Sequence, residues 1–250
     1  MVQSNTQFHN SMSEKKIFIP ESFDESDRNY NDLILKEHSN LPVSIEDNNV
    51  QAPNPKYVSE KHYSSFNFLK LSKTFSITNT AIGITSANKQ DGKTMVAVNM
   101  AISLARGYQQ KTLLIDFNFL NPQLHKIFDI PIGYGIADAM ENKNIKVSPT
   151  PINNLYLMTA GNCVDLKPGI EHTLVLRQIL QTLKDEFVFI VVDMSSILPI
   201  NEFPVHFINE IDGLISVIDS TRTKKNDFNK IFKHLDEQRF VGYVFNKMKK

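Results

Sequence analysis

The stretch Ala81-Ile-Gly-Ile-Thr85-Ser-Ala87-Asn88-Lys89-Gln90-Asp91-Gly92-Lys93-Thr94 decides how this chain is read. Its first five residues make a short apolar, strand-like run bounded by polar residues. A polar loop follows, and past it Ala97, Met100, Ala101 and Leu104 recur at i, i+3, i+4 and i+7, with Asn99, Ser103 and Arg106 on the other side. That spacing predicts a helix with one buried face. Strand, loop and helix in this order, with Gly-Lys-Thr closing the loop, fit a relaxed phosphate-binding pattern in which Ala87 replaces the strict form's Gly. The backbone from Ala87 to Met95, through Asn88, Lys89, Gln90, Asp91 and Gly92, is expected to wrap phosphates at the positive end of the helix. Lys93 would reach the β- and γ-phosphates and the Thr94 hydroxyl would ligate Mg2+.

Two aspartates support a nucleotide site. Asp116 closes Leu113-Leu-Ile-Asp116 and Asp193 closes Phe187-Val-Phe-Ile-Val-Val-Asp193. Both are expected at the carboxyl edge of a sheet, where a nucleotide and its Mg2+ would sit. The metal set is therefore Thr94, Asp116 and Asp193. Further strand-like runs are Thr112–Asp116, Asn154–Met158, Gly213–Ile218 and Phe240–Phe245, with helical patterns at Leu174–Leu183 and Asn226–Leu235. Strands apolar on both faces, alternating with helices, predict a mostly parallel sheet covered on both sides.

Composition adds the frame. The 250 residues carry 27 basic and 27 acidic side chains, so the chain is no bulk polyanion binder and no nucleic-acid partner is expected. A single cysteine, Cys163, fits a reducing compartment. It has no activating neighbour in sequence and reads as a small, partly buried residue. The seven histidines lack zinc spacing. The longest apolar run, Phe187 to Val192, is far below the roughly 18 residues of a membrane span, and a cytoplasmic location is expected.

The average hides a division. All nine glycines lie at or after Gly83, while residues 1–75 have none and hold four of eleven prolines. Residues 1–55 are expected to be a disordered or weakly ordered arm, with a short docking motif around Lys16-Ile-Phe-Ile-Pro20. Residues 56–250 form the domain, opened by a helix at about 58–73. Residues 221–250 hold nine basic against three acidic side chains, read as a solvated face with a basic end.

A longer pattern then emerges. Leu114-Ile-Asp116-Phe-Asn118-Phe-Leu120-Asn-Pro122-Gln-Leu124-His125 is similar to an Asp-x-Asp-Leu-Arg-x-Pro-x-Leu-His segment. Gly133-Tyr-Gly135-Ile-Ala-Asp138, Asn154-Leu-Tyr-Leu-Met-Thr-Ala-Gly161 and Val241-Gly-Tyr-Val-Phe-Asn246-Lys247 follow in the matching order. Residues from about 58 to 247 thus resemble the bacterial tyrosine kinase (BY-kinase) and capsular-polysaccharide regulator family. The wider relatives are the ParA/MinD-type P-loop ATPases. The resemblance implies a P-loop NTPase-like α/β fold, ATP and Mg2+ as cofactors, and Asn246 as an adenine contact. It also implies a role in exopolysaccharide or capsule synthesis and export, exercised with a membrane adaptor.

The departures are specific. Gln90 stands where the family usually has Gly, and a left-handed backbone there costs a residue with a Cβ roughly 1–2 kcal/mol. Asn118 replaces the second aspartate of the kinase motif, so the catalytic set reads Lys93, Asp116 and a degenerate Asn118. An amide is a poor proton acceptor. Leu120 replaces an arginine, and Met194-Ser195-Ser196 replaces Thr-Pro-Pro. His125 matches the family's helix-start histidine and reads as a packing or capping residue. Tyr63 and Phe66 occupy the arginine places of a Glu60-led oligomerisation motif, so weak self-association rather than a closed ring is expected. No tyrosine cluster resembling the family's autophosphorylation tail is present, which points to an acceptor on another protein. Three readings follow: a regulator acting as a tyrosine-kinase-type phosphotransferase or weak ATPase, a pseudokinase scaffold, and a ParA/MinD-type positioning ATPase. The last would need a lysine at Asn88.

Overall fold

The computed structural model describes residues 42–45, 79–164, 166, 168–200, 203–224, 227 and 239–247. The helices expected at 58–73 and 226–235, and the docking motif at 16–20, lie outside the described residues, except for the single position Asp227. Among the described residues eight strands form one sheet: β1 (Val43–Ile45), β2 (Thr80–Ser86), β3 (Thr112–Phe117), β4 (Ile145–Pro149), β5 (Leu155–Met158), β6 (Phe189–Ser196), β7 (Gly213–Asp219) and β8 (Phe240–Asn246). Their order across the sheet is β1-β4-β5-β3-β6-β2-β7-β8. Every pairing is parallel except the short β4–β5 ladder.

The inner strands are apolar on both faces because both faces are covered. On β3, Leu113 and Ile115 enter one apolar layer while Leu114 enters the other; on β6, Ile190 and Val192 oppose Val191 in the same way. Helices α1 (Lys93–Gly107) and α2 (Leu124–Phe128) build one layer. Helices α3 (Ile136–Asn142) and α4 (Thr173–Glu186) build the other. Each fully buried Ile, Leu or Phe contributes roughly 1.5–3 kcal/mol. Arg177 of α4 clamps Glu210 at the end of a 3-10 turn, Val205–Glu210, through two bonds of 2.7 and 2.9 Å.

Three local readings change. Helix α1 is buried on more than one face: Asn99 and Ser103, placed opposite the apolar stripe by the sequence, are buried too, while Arg106 is exposed. Strand β6 does not stop at Asp193 but runs three residues further to Ser196. Its neighbours supply the ladder, with Phe117 opposite Met194 and Ser86 opposite Ser196. Third, β1 lies within the expected arm and pairs with β4, a strand that alternates buried and half-buried residues.

Candidate phosphate-binding site

The loop between β2 and α1 sits where β2 is flanked by β6 on one side and β7 on the other. Its start is tied to the end of β6: the Ile197 amide donates to Ser86 O at 2.9 Å and the Leu198 amide to Ala87 O at 3.0 Å. The Ser86 hydroxyl donates to Asn88 O at 2.7 Å, and the Asn88 amide donates to the fully buried Asp91 carboxylate at 3.0 Å. Gln90 has φ 68°, the left-handed backbone expected of it. Gly92, with φ 99°, precedes the first residue of α1. A Cβ there would both strain the backbone and run into the Asn246 side-chain amide.

No side chain caps the start of α1, and its first turn has no acidic residue. The helix therefore presents open N–H groups and the positive end of its dipole at the loop. Lys93 is buried, Thr94 and Met95 are half-buried, and the Met95 side chain packs against the apolar layer rather than toward the loop.

The two aspartates lie side by side on the sheet. Asp116 and Asp193 are register partners on adjacent strands, and both are fully buried. Asp116 is well furnished: Oδ1 accepts the Asn118 amide at 3.2 Å, and Oδ2 accepts those of Gln123 and Leu124 at 3.0 Å each. Burial still raises its pKa, against the opposing pull of these amides and of Lys93. Asp193 has no such support, and neither oxygen makes a hydrogen bond of good geometry. Burial and then the Asp116 carboxylate push its pKa up, while Lys93 and the nearby Thr94 hydroxyl pull the other way. The two acids titrate as one coupled pair.

An orphaned, fully buried carboxylate facing a second one is costly without a cation. That observation makes the pair fit a divalent metal, and the Thr94 hydroxyl lies beside it. Among the described residues no group of three or more His, Cys, Asp or Glu side chains forms a self-sufficient metal site. Two carboxylates and one hydroxyl match Mg2+, which keeps waters and takes remaining oxygens from phosphates.

Asn118 is placed beside this pair but is spent on structure: its amide nitrogen donates to Asn121 O at 3.1 Å. His125 lies on α2 with Nδ1 buried and unpaired, and burial lowers its pKa. Cys163 is half-buried, its Sγ 3.6 Å from Phe119 O, and burial and then Asp116 raise its pKa. The two glycine-containing motifs meet each other. Asp138 Oδ2 accepts the Gly135 amide at 2.9 Å and the Asn162 amide at 3.1 Å, which locks the start of α3 onto the end of β5.

Residues that sequence reasoning missed come from the far ends of β7 and β8. Arg222 donates to Lys89 O at 2.7 Å and pairs with Asp91 at 2.9 Å. Lys247 donates to Gln90 O at 3.0 Å and to Asp219 at 2.8 Å. Asn246, expected at an adenine, donates its side-chain amide to Asp91 O at 2.9 Å. Lys247 and Thr221 hold the Asp219 carboxyl well below the usual range. For Arg222 the excess of basic residues after position 220 is the signal in the sequence, and for Asn246 and Lys247 the motif that ends in them.

Known proteins resemble the chain in sequence and in fold. CapB of Staphylococcus aureus is 29% identical over 171 residues, covering 66% of this chain and 74% of CapB. The tyrosine-protein kinase CpsD of Streptococcus pneumoniae is 29% identical over 178 residues, covering 67% of this chain and 75% of CpsD. The crystal structure of the chimerical protein CapA2B2 superposes with a TM-score of 0.64 at 20% identity, over 91% of this chain and all of the chimera. No family model matches the sequence. The chain is thus similar in sequence to these proteins and shares the fold of the CapA2B2 chimera.

Proposed function

We propose that this chain, as a relative of the bacterial tyrosine kinases, binds ATP and Mg2+ at the loop Ala87–Met95 and regulates exopolysaccharide or capsule synthesis and export from the cytoplasm. The observation that carries the reading is the unpartnered Asp193 carboxylate opposite Asp116, beside Lys93 and the uncapped start of α1. Loop amides and the Lys93 ammonium bind and orient the phosphates, while Thr94, Asp116 and Asp193 hold the metal. Mg2+ bound there would neutralise charge across the β- and γ-phosphate oxygens. Phosphoryl transfer of this kind needs alignment and charge stabilisation and no covalent intermediate on the protein. The acceptor is a tyrosine hydroxyl of another protein, and Asn118, an amide engaged with Asn121, does not serve as its base. Among the described residues no helix is long and apolar enough to cross a membrane. Recruitment to the membrane by an adaptor that docks on the chain rests on the family resemblance.

The test is direct. Mg-ATP at about 100 times its Kd stabilises a single-site protein by about 2.7 kcal/mol, so the melting temperature rises by a few degrees. Lys93→Ala abolishes the rise. Wild-type protein, and not Lys93→Ala, then forms phosphotyrosine on a tyrosine-rich acceptor peptide. Absence of any shift at millimolar Mg-ATP defeats the nucleotide reading.

A further inference from the structure

We propose that Arg222, Asn246 and Lys247 are positioning residues that turn the phosphate-loop amides toward the ligand by holding the loop's carbonyls from behind; the role as ligand site rests on the nucleotide reading above. Three consecutive carbonyls are taken by three different side chains: Lys89 O by Arg222, Gln90 O by Lys247 and Asp91 O by Asn246. A trans peptide is planar, with its C=O and N–H pointing in opposite directions. Fixing these carbonyls therefore aims the amides of Gln90, Asp91 and Gly92 the other way. Among the described residues those three amides make no hydrogen bond of their own, so they remain available to an anion. This is the arrangement a phosphate cradle needs.

The donors are themselves anchored. Lys247 is held by Asp219, which is buried and also accepts the Thr221 amide at 3.0 Å and the Thr221 hydroxyl at 2.7 Å. Arg222 is held by the buried Asp91, whose other oxygen accepts the Asn88 amide. The Asn246 side-chain amide occupies the space a Cβ at position 92 would take, so a side chain there would displace it from the loop. The clamp also accounts for Gln90. A residue with a Cβ adopts φ 68° at a cost, and the Lys247 bond to its own carbonyl is the interaction that holds it there.

The decisive measurement pairs Mg-ATP affinity by calorimetry with amide hydrogen exchange of the loop in nucleotide-free protein. Lys247→Met is expected to weaken Mg-ATP binding about tenfold, the worth of one charge-assisted hydrogen bond, and to speed exchange at Gln90, Asp91 and Gly92. Lys247→Arg retains most of the affinity. Adding Gln90→Gly to Lys247→Met restores most of it, because glycine takes the left-handed backbone without the clamp. A lysine that touched the nucleotide directly would give a loss that Gln90→Gly does not restore, and that result overturns the proposal. So does unchanged loop exchange in Lys247→Met. Faster exchange in that variant, with no Mg-ATP binding by the wild type, supports the clamp and defeats only the nucleotide reading.

Discussion

Asp193 is the residue on which the chemistry turns. In the absence of a cation its ionised form is buried without a hydrogen bond of good geometry and beside another carboxylate, so the folded chain holds a proton there more tightly than the unfolded chain does. Across the range between the ordinary carboxylate pKa and the raised one, the native state then binds more protons. Stability falls as pH rises through that range. Asp219 acts with the opposite sign only at acid pH, since its pKa is lowered. His125, also lowered, acts below about pH 6.5. Between about pH 6.5 and 8 in the presence of EDTA, calorimetry should therefore show a falling melting temperature. Asp193→Asn removes most of that fall and raises stability at the alkaline end by roughly 1–3 kcal/mol, the scale of an unsatisfied buried polar group. The same variant loses the stabilisation by Mg-ATP. An unchanged pH slope in Asp193→Asn would place the titrating group elsewhere.

At the scale of elements, the docking of α3 against the end of β5 carries two of the family-like motifs. A Cβ at Gly135 would clash with the backbone of Thr159 and Gly161, and backbone cannot step aside as a flexible side chain can. Gly135→Ala is accordingly expected to cost roughly 1–3 kcal/mol, as overpacking does. Circular dichroism melts would show a lowered midpoint without loss of the sheet signal at low temperature. These motifs support the scaffold next to the site, with Asp138 serving as a cap for Gly135 and a tie to Asn162. The inner strands were legible because β2, β3, β6 and β7 are apolar on both faces and leave continuous runs. Strands β1 and β4 were not, since Val43-Ser-Ile45 and Ile145-Lys-Val-Ser-Pro149 are short, interrupted by polar residues, and ordered by pairing with each other. The extension of β6 through Met194-Ser195-Ser196 was hidden for a related reason: polar residues after an aspartate look like a strand end until neighbours on both sides are known to continue.

For the molecule as a whole, the site draws on strand ends from one part of the sheet only. The phosphate loop follows β2, the carboxylates stand on β3 and β6, and the carbonyl clamp comes from the ends of β7 and β8. Half of this was readable from local spacing, because Gly92, Lys93 and Thr94 are contiguous and each aspartate closes an apolar run. The clamp was not readable, because its contacts span 133 to 157 residues and no local pattern records them. That separation has a consequence for how binding is felt. Strands β1 and β4 sit at the opposite edge, beyond β5, and contribute nothing to the loop, the carboxylate pair or the clamp. Saturating Mg-ATP should therefore slow amide exchange along the carboxyl ends of β2, β3, β6, β7 and β8 and at the first turn of α1, while β1 and β4 exchange as before. Local openings at the bound elements must break ligand contacts, whereas those at the β1–β4 edge need not. Peptide-resolved exchange with and without Mg-ATP distinguishes the cases. Equal protection of β1 and β4 would mean that this edge opens only together with the nucleotide site.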